Sequence, residues 1–201
     1  MTDVLYLLPI AATAAGAFVV TNVDDLVVLT ALFATSGRGG PRRRDIAVGQ
    51  YAGIALLLLV SVVAAVALLA VPDPWIGLLG LVPIGLGVRG LVEARQRGAD
   101  EASVATPVHG PVGVAFVTVS NGGDNLSIYI PLLRHDLNAG AIAIYLVVFA
   151  VMVAVWLLAA RLVAGHRHVQ HLVDTTGHWL VPVLFLVIGL LVIVTSGLVG
   201  G

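Results

Sequence analysis

The chain of 201 residues has no cysteine and no lysine, and only 10% of its residues are charged. Without cysteine there is no disulfide, no thiolate metal ligand and no cysteine nucleophile. Without lysine there is no G-x-x-x-x-G-K-[S/T] phosphate loop, which excludes a P-loop ATPase. Ordinary soluble domains carry about a quarter charged residues, so a chain that is 59% hydrophobic is not built to fold in water. The N-terminus lacks a basic stretch and a small-residue cleavage site, and its first apolar run reads as a retained helix rather than a signal peptide. The net charge of −1 gives no reason to expect a nucleic-acid partner.

What is present is a series of long apolar runs, at about 4–35, 46–71, 74–92, 111–133, 141–160 and 179–198. Each can cross roughly 30 Å of hydrocarbon at about 1.5 Å per residue. The first is longer than a crossing needs and is expected to tilt, break or begin at the interface. All ten basic residues are arginine, and nine fall in or flank alternate gaps: Arg38, Arg42, Arg43 and Arg44; Arg89, Arg95 and Arg97; Arg161 and Arg167. Only Arg134 lies in an intervening gap. The positive-inside rule puts those three gaps in the cytoplasm and both termini outside. The expected fold is therefore an all-α integral membrane protein of six transmembrane helices, one domain over residues 1–201.

The chain also repeats itself weakly. Asp24-Asp25-Leu26 in the first run matches Asp124-Asn125-Leu126 in the fourth, 100 residues on, and Thr21-Asn22 resembles Ser120-Asn121 with one residue inserted. Trp75 with Ile84-Gly85-Leu86 in the third run matches Trp179 with Ile188-Gly189-Leu190 in the sixth. Two related units of three helices each must have opposite orientations. The halves, about 1–95 and 108–201, thus read as inverted repeats, with a site expected where they meet near the midplane.

Asp24, Asp25 and Asp124 lie within apolar runs, where a carboxylate costs several kcal/mol unless it pairs, protonates or faces a wet cavity. Asn22, Asn121 and Asn125 stand beside them, and Gly122-Gly123 weakens the fourth helix so that its backbone can open. Carboxylate, amide and freed carbonyl oxygens together suit a divalent cation. Simple hydrogen-bonded glue between helices would explain one buried asparagine better than three aspartates. Two intramembrane aspartates could instead form a protease dyad, but the adjacent Asp24-Asp25 pair and the small repeated body fit that poorly. Gln50, Tyr51 and Tyr129 are candidates for a pathway lining, Tyr51 equally for an interfacial anchor. On a helix, His171, Asp174 and His178 would share one face and could collect metal at the cytoplasmic mouth, although solvated loop histidines are commoner.

Four stretches carry a family resemblance: Thr21-Asn22-Val23-Asp24-Asp25-Leu26; Gly49-Gln50-Tyr51-Ala52-Gly53; Gly77 through Gly87; and Asn121-Gly122-Gly123-Asp124-Asn125 with Tyr129-Ile130-Pro131-Leu132. In them the chain resembles the bacterial cadmium-resistance transporters of the lysine-exporter superfamily. The resemblance implies six helices in the bacterial plasma membrane and export of cadmium or a related divalent ion. It carries over Asp24, Asp25, Asn121, Asp124 and Asn125 as the ion site. The metal is then cargo, and no cofactor is expected; the surrounding partner is the lipid bilayer, and a homo-oligomer is neither required nor excluded. An all-oxygen site does not by itself separate cadmium from zinc, manganese or calcium. An exporter of amino acids or small organic cations is the alternative within transport. An amino-acid carboxylate would call for a buried arginine, and the arginine nearest to that description, Arg89, stands only near the end of the third run.

Overall fold

The computed structural model describes residues 2–36, 39–70, 81, 84–85, 88–89, 91–92, 108–165, 186 and 190. Its elements are α1 (Thr2–Thr21), α2 (Val23–Thr35), α3 (Arg43–Ala67) with a closing 3-10 turn at Leu68–Ala70, α4 (Gly110–Ser120), α5 (Gly123–His135) and α6 (Ala139–Val163). Residues 81, 84–85, 88–89, 91–92, 186 and 190 are helical as well. Every element among the described residues is helical.

Helix ends follow local chemistry. The backbone N–H of Arg42 donates to the Asp45 carboxylate at 3.3 Å, fixing the start of α3. Arg134 Nε donates to the Leu68 carbonyl at 3.1 Å, where the last turn of α3 tightens into its 3-10 end. Asn138 caps α6 by accepting from the Ala141 N–H at 2.9 Å. Pro111 stands in the first turn of α4, where its missing N–H costs nothing.

Arg43–Ala70 and Ala139–Val163 are each long and apolar enough to cross a bilayer, and Leu7–Thr21 with Val23–Thr35 adds a third span if the two are taken together, bent by 60°. Leu56, Leu59 and Val63 on α3, with Val147, Val151 and Leu158 on α6, remain exposed, as a lipid-facing surface requires. The first run is thus broken, one of the outcomes expected of its excess length. The fourth predicted span is also divided, into α4 of 11 residues and α5 of 13, each too short to cross alone. Of the predicted six spans, the third and sixth lie largely outside the described residues, as do Trp75 and Trp179 of the repeat and the segment carrying His171, Asp174 and His178.

The packing is reciprocal. The long helix α3 lies chiefly against the pair α4 and α5, while α6 lies chiefly against α1 and α2. Each long helix has 25 residues. Small residues make the first of these contacts close. A β-carbon added at Gly49 would meet the Pro111 carbonyl oxygen and Val114 at 2.5 Å, and one at Gly53 would meet Thr118 at 2.6 Å. The G-x-x-x-G spacing of Gly49 and Gly53 therefore opens a notch into which α4 settles. On the other side, Phe18 of α1 packs edge-on against Phe149 and Trp156 of α6, with ring centroids 5.5 Å apart in both pairs. Tyr129 and Tyr145 close the same aromatic group around Phe149.

Candidate metal site

The chain opens twice, and side chains at the first opening explain why. Thr21 Oγ1 donates to the Ala17 carbonyl at 3.0 Å, and Asn22 Nδ2 donates to the Phe18 carbonyl at 2.8 Å. Side-chain donors of this kind compete with the helix ladder and bend it. Asn22 takes φ −119° and ψ 17°, outside the helical well, and α2 restarts at Val23. At the second opening Gly122 N–H bonds back only three residues, to Val119 at 3.0 Å, and α5 restarts at Gly123.

Each restart places an aspartate second in a helix, and the local bonding is the same at both. Asp24 Oδ1 accepts from the Asp25 N–H at 2.9 Å, and Asp124 Oδ1 accepts from the Asn125 N–H at 2.9 Å. Leu26 N–H reaches the Asn22 carbonyl at 3.2 Å, and Leu126 N–H reaches Gly122 at 3.0 Å. Both restarted helices run 13 residues. A carboxylate in the first turn suits the positive end of the helix dipole. Asp24 and Asp124 are half-buried and Asp25 is buried. Asp124 lies within electrostatic reach of both Asp24 and Asp25.

Polar side chains from several helices tie these groups together. Gln50 of α3 donates through Nε2 to Asp25 Oδ2 at 2.8 Å, and its Oε1 accepts from Thr118 Oγ1 of α4 at 2.7 Å. Tyr129 of α5 shares a 3.0 Å hydroxyl–hydroxyl bond with Thr21 and accepts from Asn22 Nδ2 at 3.1 Å. Asn22 Nδ2 also approaches Asn125 Oδ1 at 3.4 Å, and Trp156 Nε1 of α6 donates to the Asn22 carbonyl. Thr21, Asn22, Gln50, Thr118, Asn125 and Tyr129 are all buried. Asn22 Oδ1 is buried without a hydrogen-bond partner among the described residues, which makes it an acceptor that a cation could satisfy.

The structure thus brings together Asn22, Asp24, Asp25, Gln50, Asp124, Asn125 and Tyr129 from the sequence-predicted set. Asn121 is set apart: it is exposed, and no hydrogen bond joins it to the buried group among the described residues. The backbone equivalence pairs Gly122 with Asn22 and Asn121 with Thr21, and a slip of one residue turns a side chain about 100° around a helix. Tyr51 is exposed, its hydroxyl donating to the Ala150 carbonyl at 3.0 Å. Thr118 and Trp156 join the network without any motif to mark them. Among the described residues no three histidine, aspartate or glutamate side chains converge closely enough to hold one metal ion. The three carboxylates are electrostatic neighbours rather than a closed cage, so an ion held here would draw on amide, hydroxyl or carbonyl oxygens as well.

Comparison with known proteins adds a family. A model described as "Cadmium resistance transporter" matches residues 18–200. No curated protein and no solved structure matches the chain.

Proposed function

The chain belongs to the cadmium resistance transporter family, and from that premise we propose that it exports divalent metal cations from the cytoplasm across the bacterial plasma membrane. The observation that carries the reading is the paired break. Two helix restarts, 100 residues apart in sequence, set Asp24 and Asp124 into the same electrostatic neighbourhood with the same local bonding. A membrane protein that only needed helix adhesion would gain nothing from carboxylates that repel one another there.

In this reading the chain forms six spans in two inverted halves, with both termini outside. The α1–α2 and α4–α5 pairs are discontinuous spans, the kind from which secondary transporters build midplane sites. The reciprocal seating of α3 and α6 supports the two-half plan. Gln50 lies seven residues into α3 from its arginine-flanked start, about 10 Å along the helix, so a cytoplasmic ion would reach the carboxylates from that side. It sheds most of its water, exchanging it for oxygens of Asp24, Asp25 and Asp124 and of Asn22 and Asn125. Rocking of one half against the other then opens the site outward. Protons compete with metal for the same carboxylates, so an opposing proton gradient would drive release.

The test is flux into a metal-sensitive dye in proteoliposomes, offering cadmium, zinc, manganese and calcium with and without an imposed proton gradient. Selective flux that rises with the gradient and drops about 100-fold or more in Asp124→Asn supports the reading. Undiminished flux in that variant removes the site assignment, and absence of flux for every ion turns the search to organic cations.

A further inference from the structure

We infer that Gln50 tunes which divalent ions the site accepts, by holding one oxygen of Asp25 and so favouring binding of the ion through the other; this rests on the export reading above. Each of the three carboxylates has one oxygen tied to an N–H donor. Asp24 Oδ1 and Asp124 Oδ1 are held by the backbone N–H groups that follow them, both at 2.9 Å, and Asp25 Oδ2 is held by Gln50 Nε2 at 2.8 Å. The Gln50 bond holds Asp25 Oδ2, which favours binding of an ion through the other oxygen rather than through both.

Two of the three ties are backbone bonds inherent in the helix restarts. The third comes from a side chain on another helix, and the surroundings fix that side chain. Gln50 is buried, and an ionised carboxylate can only accept, so the amide must turn its NH2 toward Asp25. Its oxygen then faces Thr118, whose hydroxyl donates at 2.7 Å. Rotating the amide would break the bond to Asp25 and set its oxygen against the carboxylate. The notch at Gly49 and Gly53 seats α4, and with it Thr118, against this point. A neutral amide also leaves the negative charge of Asp25 to the ion, where an arginine or lysine donor would cancel it.

The chemical consequence is selectivity. Calcium gathers six to eight oxygens and commonly takes carboxylates in bidentate fashion, whereas zinc is satisfied by about four short bonds. Single-oxygen binding at Asp25 thus disfavours calcium. Gln50 is a positioning residue that acts on the ion through Asp25, as partners behind metal ligands commonly do.

The experiment compares zinc and calcium flux in proteoliposomes for the unmodified protein, Gln50→Leu and Thr118→Val, with Asp124→Asn beside them. Gln50→Leu keeps an apolar side chain of similar size but frees Asp25 Oδ2, and the calcium-to-zinc ratio should rise about 10-fold. Thr118→Val should move the ratio the same way by less, because the amide keeps Asp25 but loses its anchor. A purely structural role would lower both fluxes in parallel. An unchanged ratio in Gln50→Leu, with flux still lost in Asp124→Asn, overturns the inference and leaves the export reading standing. Flux retained in Asp124→Asn overturns the export reading itself. If Gln50→Leu carries neither ion, ion-induced shifts in thermal stability of the purified protein decide. A calcium shift that gains on the zinc shift supports the inference, and the unmodified protein's order overturns it.

Discussion

At residues 22–26 and 122–126 the chain bonds its backbone in the same way twice, yet the two places differ in charge and in surroundings. The first carries Asp24 and Asp25, is joined to α5 through Thr21 and Asn22 and to α4 by way of Gln50 and Thr118, and has Trp156 on the buried Asn22 carbonyl. The second carries Asp124 with a neutral Asn125, and is opened by glycine rather than by side-chain competition. Similar bonding at the two restarts thus coexists with different surroundings, and the first break is the more heavily tied to its neighbours.

The comparison can be broken most sharply by exchanging the charges. The double variant Asp25→Asn with Asn125→Asp keeps the number of carboxylates but moves one from the first break to the second. Since Gln50 donates to position 25, cadmium flux in proteoliposomes should stay at least about 10-fold below the unmodified protein. Full recovery would mean that the two breaks are interchangeable.

A smaller effect separates the close approach from the open break. Gly53→Ala puts a methyl group into Thr118 and should lower unfolding stability in mixed micelles by about 1–3 kcal/mol. Gly123→Ala meets nothing within 4 Å, and should leave stability unchanged or raise it by up to about 1 kcal/mol. Equal losses would show that α5 tolerates no more bulk at its start than α3 does at its crossing.

Smallest of the three is Tyr129→Phe, which removes the hydroxyl shared by Thr21 and Asn22 but keeps the ring against Phe149. Buried polar contacts between membrane helices average about 0.6 kcal/mol and reach about 1.7. A stability loss in that range is expected from the same unfolding measurement. A loss far outside it would make this cluster a principal support of the first break rather than a local tie.

Much of this was legible in the sequence because membranes penalise polarity so strongly. Aspartates and asparagines inside apolar runs marked the buried polar group, the 100-residue offset of Asp24 and Asp124 paired the breaks, and the length of the first run anticipated its interruption. Partners were not legible. Thr118 and Trp156 look like ordinary interruptions of apolar sequence, and their roles depend on where helices cross, which the Gly49–Gly53 notch decides. Asn121 shows the opposite failure. Its motif matches by composition, but the backbone equivalence runs through Gly122, and one residue of register turns it out of the buried group.

The account stands on the two breaks forming one site, and titration of the purified protein with cadmium tests that directly. One ion per chain, lost in Asp24→Asn and equally in Asp124→Asn, is the expected result. Two ions per chain, with one surviving in each variant, would mean that the breaks bind separately and that their meeting is not the transport site.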